Sequence, residues 1–187
     1  MRINPLVAVL AVAVAGACGK APTAPESFSL PVQVTTGEAA AASAASHTAS
    51  NSPQHHTHLT GQNEVPARDS KGQGQAIFRI ARDGQSITYK LNVANIENVT
   101  QSHIHLAPAG SNGGIVVWLY PSAPPMQLIP GRVQGTLGEG VITADSLVNA
   151  LAGQPLSVLI DAIEDGNAYV NVHTLQFPPG EIRGQID

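Results

Sequence analysis

Three histidines carry the chemistry that this sequence offers. SHIHLAPAG, residues 102–110, sets His103 and His105 two apart with Ile104 between them, and AYVNVHT, residues 168–174, places His173 near its end. Side chains alternate across a β-strand, so His103 and His105 share one face and Ile104 takes the other. In the second stretch Val170 and Val172 share a face, and Tyr169, Asn171 and His173 share the opposite one. If the two strands are neighbours, aliphatic side chains point inward and three imidazoles meet on the outside of the fold. Such a trio suits copper or zinc, both of which favour imidazole nitrogen. The chain has one cysteine, Cys18, so neither a disulfide nor a thiolate-rich site is open to it.

Other chemistry is thinly represented. Ser102 adjoins His103, but neighbours on a strand point to opposite faces, which rules out a Ser–His pair. There is no GxSxG elbow, no HExxH and no phosphate loop. Glu164 and Asp165 belong to EDGN, a turn sequence, and Glu64, Glu181 and Arg183 read as ion-pairing residues that pin loops. In QHHTHL, His56 and His58 share a strand face opposite Leu59 and could form a loose metal-catching patch, or merely decorate the end of a tail.

The elements that must position the triad are short strands. QAIFRIARDGQSITYKLNVANI reads as two strands around Arg82-Asp83-Gly84-Gln85, a hairpin signal. SHIHLAP is a further short strand, and Asn112-Gly113-Gly114 turns the chain into IVVWLY, residues 115–120, apolar enough to be central, with Trp118 and Tyr120 read as core. GRVQGTLGEG is a strand bent at Gly135. TADSLVNALAG, 143–153, is the one helical signal, capped by Thr143 and ended by Gly153. PLSVLIDAI, NAYVNVHTL and EIRGQI (181–186) complete the strands. The expected fold is all-β, an antiparallel Greek-key sandwich or barrel with one short helix.

The start has the grammar of an export signal. Arg2 precedes an apolar run from Leu6 to Ala17 that is too short to span a bilayer comfortably, and Ala15-Gly16-Ala17 leads into Cys18. This resembles a bacterial lipoprotein signal, residues 1–17, with Cys18 as the lipidated residue. Gly19 after the cysteine favours the outer membrane by the same resemblance. Residues 18–53 are rich in Ala, Ser, Thr and Pro and read as a flexible tether. The folded domain is then 54–187, outside the cytoplasm in a bacterial envelope. The formal charge is −4, and the nine Lys and Arg residues are scattered. That distribution excludes the basic footprint of a nucleic-acid binder.

GQNEVP (61–66), SHIHLAPAGSNGGIVVWL (102–119), TADSLVNALAG and YVNVHTLQFPPGEIRGQI (169–186) together resemble the CHRD (chordin-type) domain. The resemblance implies a secreted domain and no particular activity, so function has to come from the site. A second resemblance is to copper/zinc superoxide dismutases, which also set an H-x-H pair and a later histidine on a Greek-key barrel. It implies copper rather than zinc at His103, His105 and His173, and it gives Arg183 the part of an anion-steering arginine. No histidine lies between His105 and His173, so what this resemblance implies is a mononuclear site. Three readings stay open: a metal-binding domain held to a membrane, a metal-free module for a protein partner, and a copper redox enzyme.

Overall fold

The computed structural model describes residues 52–187. Seven strands form one antiparallel sheet system: β1 (Gln54–Thr60), β2 (Gln73–Ile80), β3 (Ile87–Leu106), β4 (Gly114–Tyr120), β5 (Ile129–Ile142), β6 (Ala168–Thr174) and β7 (Ile182–Gln185), with one α-helix, α1 (Ser157–Glu164), before β6. The strands follow the order β2-β1-β7-β6-β3, and β2 also pairs with β3, closing a five-stranded barrel. The interior is aliphatic. Leu59, Phe78, Leu91, Ile104, Val170, Val172 and Ile182 are all inaccessible to solvent, and burial of such side chains is the main favourable term in folding.

The hairpin forms where Arg82–Gln85 implied it. Ile80 pairs with Ile87, Asp83 Oδ1 accepts from Gln85 N–H, and Gly84 takes φ +66°. The second strand then runs on. SHIHLAP is the far end of the 20-residue β3, not a separate strand. Its first half pairs with β2 and β5, and its second half with β6 and β4. Between the halves Asn95 and Asn98 adopt φ near +54° and +53°, a left-handed conformation that asparagine tolerates better than most residues. Five is odd and every pairing in the ring is antiparallel, so the ring closes only if one strand changes direction along its length. The irregular Asn95–Asn98 stretch, with its register shifts against β5, separates the two halves of β3.

Two assignments change places. TADSLVNALAG is not a helix but two short 3-10 turns, Ala144–Ser146 and Asn149–Leu151. Its backbone is tied to β4 instead: Val148 N–H donates to Val116 O, Asn149 Nδ2 donates to Ile115 O, and Asn149 sits at φ +52°. PLSVLIDAI, read as a strand, is the helix. Leu156, Leu159 and Ile163 recur at helical spacing and are buried. Asn167 N–H reaches back to Ala162 O and Gly166 N–H to Ile163 O, with Gly166 at φ +68°, a glycine-ended helix terminus. Cys18, the signal at 1–17 and nearly all of the tether at 18–53 lie outside the described residues. No helix among the described residues is long and apolar enough to cross a membrane.

Candidate metal centre

The second half of β3 runs between β4 and β6, and its register sets Gln101 opposite His173, His103 opposite Asn171 and His105 opposite Tyr169. β7 continues the row, with Arg183 opposite Asn171. Period-two alternation therefore gathers His103, His105, Tyr169, Asn171, His173 and Arg183 on one face while Ile104, Val170, Val172 and Ile182 fill the barrel. Ser102 is on the barrel side of β3, its Oγ donating to Asn171 O at 2.7 Å, away from His103 as strand geometry requires.

The three imidazoles meet on the face outside the barrel, as strand alternation implies, and that face is covered. His103 is 0% exposed, His173 6% and His105 7%. Every residue of β6 is buried, so both of its faces are covered. The covering comes from irregular chain. Gly113 O, in the loop after β3, faces His105 Nδ1 at 3.0 Å, and Pro178 O, in the loop after β6, faces His173 Nδ1 at 2.8 Å.

A carbonyl can only accept, so both Nδ1 atoms carry the proton and both Nε2 atoms present a lone pair. His103 Nδ1 faces His173 Nε2 at 3.2 Å. Ring centroids are 5.1 Å apart for His103–His173, 5.6 Å for His103–His105 and 6.2 Å for His105–His173. One nitrogen from each ring lies within 4.8 Å of the other two. An ion with metal–nitrogen bonds of about 2.0–2.1 Å brings its ligand nitrogens to roughly 3.3–3.5 Å, so modest contraction completes the site. His105 Nε2 is buried with no hydrogen-bond partner, a condition that proteins rarely leave without a purpose.

Burial keeps the rings uncharged. It pushes the His103 imidazolium down to about 3, with the neighbouring His173 and His105 adding to the effect. It brings His173 to about 4 against the opposing hydrogen bond to Pro178. His105 is lowered by burial as well, opposed by its hydrogen bond to Gly113. Neutral imidazole is the form that binds metal.

Several neighbours hold this arrangement, and strand alternation alone does not assign them that work. Tyr169 stacks on His105 at 4.8 Å and 9°, and its Oη accepts from Gly113 N–H at 3.2 Å. One residue, Gly113, thus orients both rings of the stack. A Cβ on Gly113 would run into the Leu106 carbonyl, which is why glycine occupies the position. Trp118, expected in the core, is half-buried and sets its ring edge-on to His103 at 4.3 Å. The signal was present in its place two residues before Tyr120 on a strand that pairs with β3.

Arg183 is 2% exposed. Its guanidinium lies 3.4 Å over the Tyr169 ring, donates from Nη2 to Ser111 O at 2.7 Å and from Nη1 to Asn112 Oδ1 at 3.2 Å. Glu64 is buried beside it, and burial raises its carboxyl to about 7 in spite of Arg183 and Arg68. Glu181 does not pair with Arg183; its carboxylate accepts from Ser70 Oγ and Thr174 Oγ1, each at 2.7 Å. His56 and His58 stand exposed on β1, His56 Nε2 4.0 Å from Asp187 Oδ1, and neither belongs to the three-histidine group.

The CHRD domain family model matches residues 55–186. No curated protein and no solved structure matches the chain.

Proposed function

Because this chain belongs to the CHRD domain family, a membership that speaks to architecture and leaves chemistry to the site, we propose that its work is to bind a metal ion, copper before zinc, through His103, His105 and His173. One observation carries the reading: three buried neutral imidazoles converge, and two of them are aimed by backbone carbonyls on their far nitrogens. Ligating histidines are held in this way in metal proteins generally. A site of three nitrogens with no thiolate or carboxylate suits copper and zinc and not calcium or magnesium. Copper is placed first by the likeness of the histidine pattern to copper/zinc superoxide dismutases.

The domain is further proposed to work in a bacterial envelope, exported by residues 1–17 and held by a lipid on Cys18, with residues 18–53 as tether. The support is the order Arg2, apolar run, Ala-Gly-Ala, Cys18. A shift in mass and partition into detergent, lost in Cys18→Ser, tests it.

A second reading, copper redox chemistry, is favoured by one feature. Arg183 lines a surface pocket of about 360 Å³ with Glu64, Gln62 and Gln185, and a single ring, Tyr169, separates it from His105. An anion could be drawn there. Superoxide consumption by the copper-loaded chain, with and without Arg183→Met, decides this reading.

The deciding experiment for metal binding is titration of the full chain with Cu(II), followed by electron paramagnetic resonance. One equivalent with nitrogen couplings is expected, absent when His103, His105 and His173 are all alanine and retained when His56 and His58 are. Equal spectra for the wild type and the triple variant, together with equal competition for Cu(I) under anaerobic conditions, would overturn the reading.

A further inference from the structure

The charge around the triad says which ion it prefers. We infer that the site is built for a monovalent soft cation, Cu(I), and discriminates against Zn(II) and Cu(II); the inference rests on the metal-binding reading above. All three ligands are imidazoles and bring no negative charge. Structural zinc sites gain charge from thiolates, and three-histidine zinc sites open to water that serves as a fourth ligand. Neither aid is evident here. The three histidines are buried, and His103 Nε2 and His105 Nε2 are shielded from solvent. The pocket on this side of the barrel is lined by Arg183, Glu64 and Gln185, and by none of the three histidines.

The surroundings do not make up the difference. Two ionisable side chains are buried beside the layer, Arg183 over Tyr169 and Glu64 next to Arg183. At best they cancel. Glu181, also buried, lies outside the layer, held by Ser70 and by Thr174, whose side chain alternates away from His173. The cost of bringing an ion out of water rises with the square of its charge, so a dication pays about four times what a monocation does. A strongly hydrated dication in a layer with no compensating charge is therefore the disfavoured occupant. Cu(I) carries half the charge and is content with few, soft or imidazole ligands. The nitrogen positions accommodate three-coordination, with His103 Nδ1, His105 Nε2 and His173 Nε2 the lone pairs that can meet. Ligation by His103 Nδ1 moves that ring's proton to Nε2, so the ring remains neutral.

Trp118 supplies a direct readout. It is the one tryptophan in the chain and its ring is 4.3 Å from His103. The full chain is titrated without oxygen with Cu(I) from its acetonitrile complex, against bicinchoninate as competing chelator, and separately with Zn(II) and Cu(II). Trp118 emission and competitor absorbance are both recorded. Cu(I) is expected to bind at one equivalent and at least about 100-fold more tightly than Zn(II). Asn171→Asp adds one negative charge beside His105 at nearly constant size. It is expected to narrow the Cu(I)-over-Zn(II) ratio at least about tenfold. Zn(II) or Cu(II) binding as tightly as Cu(I), or a ratio unmoved by Asn171→Asp, overturns the preference and leaves metal binding standing. No response of Trp118 to any of the three ions overturns both. The comparison among ions is made on the unaltered chain, so it does not depend on any variant folding.

Discussion

The chain writes histidine–X–histidine twice, as His56-Thr57-His58 and as His103-Ile104-His105, and leaves the first pair exposed while it buries the second. Both lie in strands, and in both the middle residue is buried, Thr57 in β1 and Ile104 in β3. Alternation has done the same thing each time. On β1 His56 and His58 are exposed, with no cover among the described residues. On β3 the loops after β3 and β6 close over it and hand each of two rings a carbonyl. The motif decides which nitrogens share a face. The covering loops decide whether those nitrogens become a rigid, dry ligand set or a solvated pair.

The strongest way to break the contrast is to lift the cover. Gly113→Ala pushes a Cβ into the Leu106 carbonyl and displaces the peptide that orients His105 and Tyr169. A loss of about 3 kcal/mol or more is expected in urea denaturation, together with the tight metal equivalent. Cutting the ligands themselves comes next. His105→Ala or His173→Ala should weaken metal binding at least about 100-fold, while His56→Ala/His58→Ala leaves it within about twofold by competition titration.

Acid sharpens the contrast further. The folded values of His103 and His173, about 3 and about 4, lie below the ordinary 6.5. Between those limits the unfolded chain binds more protons than the folded one, so stability falls as pH drops from 6.5 toward 4. Denaturant midpoints at pH 7.5 and 5 should show the fall, and His173→Gln should reduce it. Glu64 acts with the opposite sign. Its carboxyl is raised from 4.5 to about 7, so its contribution is full below pH 4.5 and is lost as pH rises through 7. The two windows overlap, so Glu64 offsets part of the histidine effect, and Glu64→Gln should make the fall in stability between pH 7.5 and pH 5 larger. The smallest effect belongs to the open copy: His56→Ala, with its exposed neighbour Asp187, should change stability by less than about 0.5 kcal/mol in the same denaturation assay.

How far the centre could be read from residue order follows from the same contrast. Alternation along SHIHL and YVNVH is a local property, and it put the right three rings on one face. Their burial depends on Gly113 and Pro178, loop residues whose placement no periodicity encodes. The helix was missed for a related reason. LSVLIDAI is a short apolar run rich in β-branched residues, and such a run satisfies strand and helix alike until Leu156, Leu159 and Ile163 are seen to share a buried side. TADSLVNALAG has caps and an apolar spacing, and β4 overrides both by taking its backbone groups.

The barrel closes where β1 meets β7, at Thr60 and Arg183, and through the His56–Asp187 backbone pair, joining the two ends of the described chain. Arg183 is also the side chain that clamps Ser111 and Asn112 over the stacked Tyr169 and His105. Pairings this distant in sequence carry a large loop-closure entropy that must be met before they form. The histidine layer thus reaches its final form only once the ring is shut, and an ion is a late arrival that cannot serve as a folding nucleus. Its effect should fall on the escape from the native state: the loaded protein unfolds more slowly and refolds no faster.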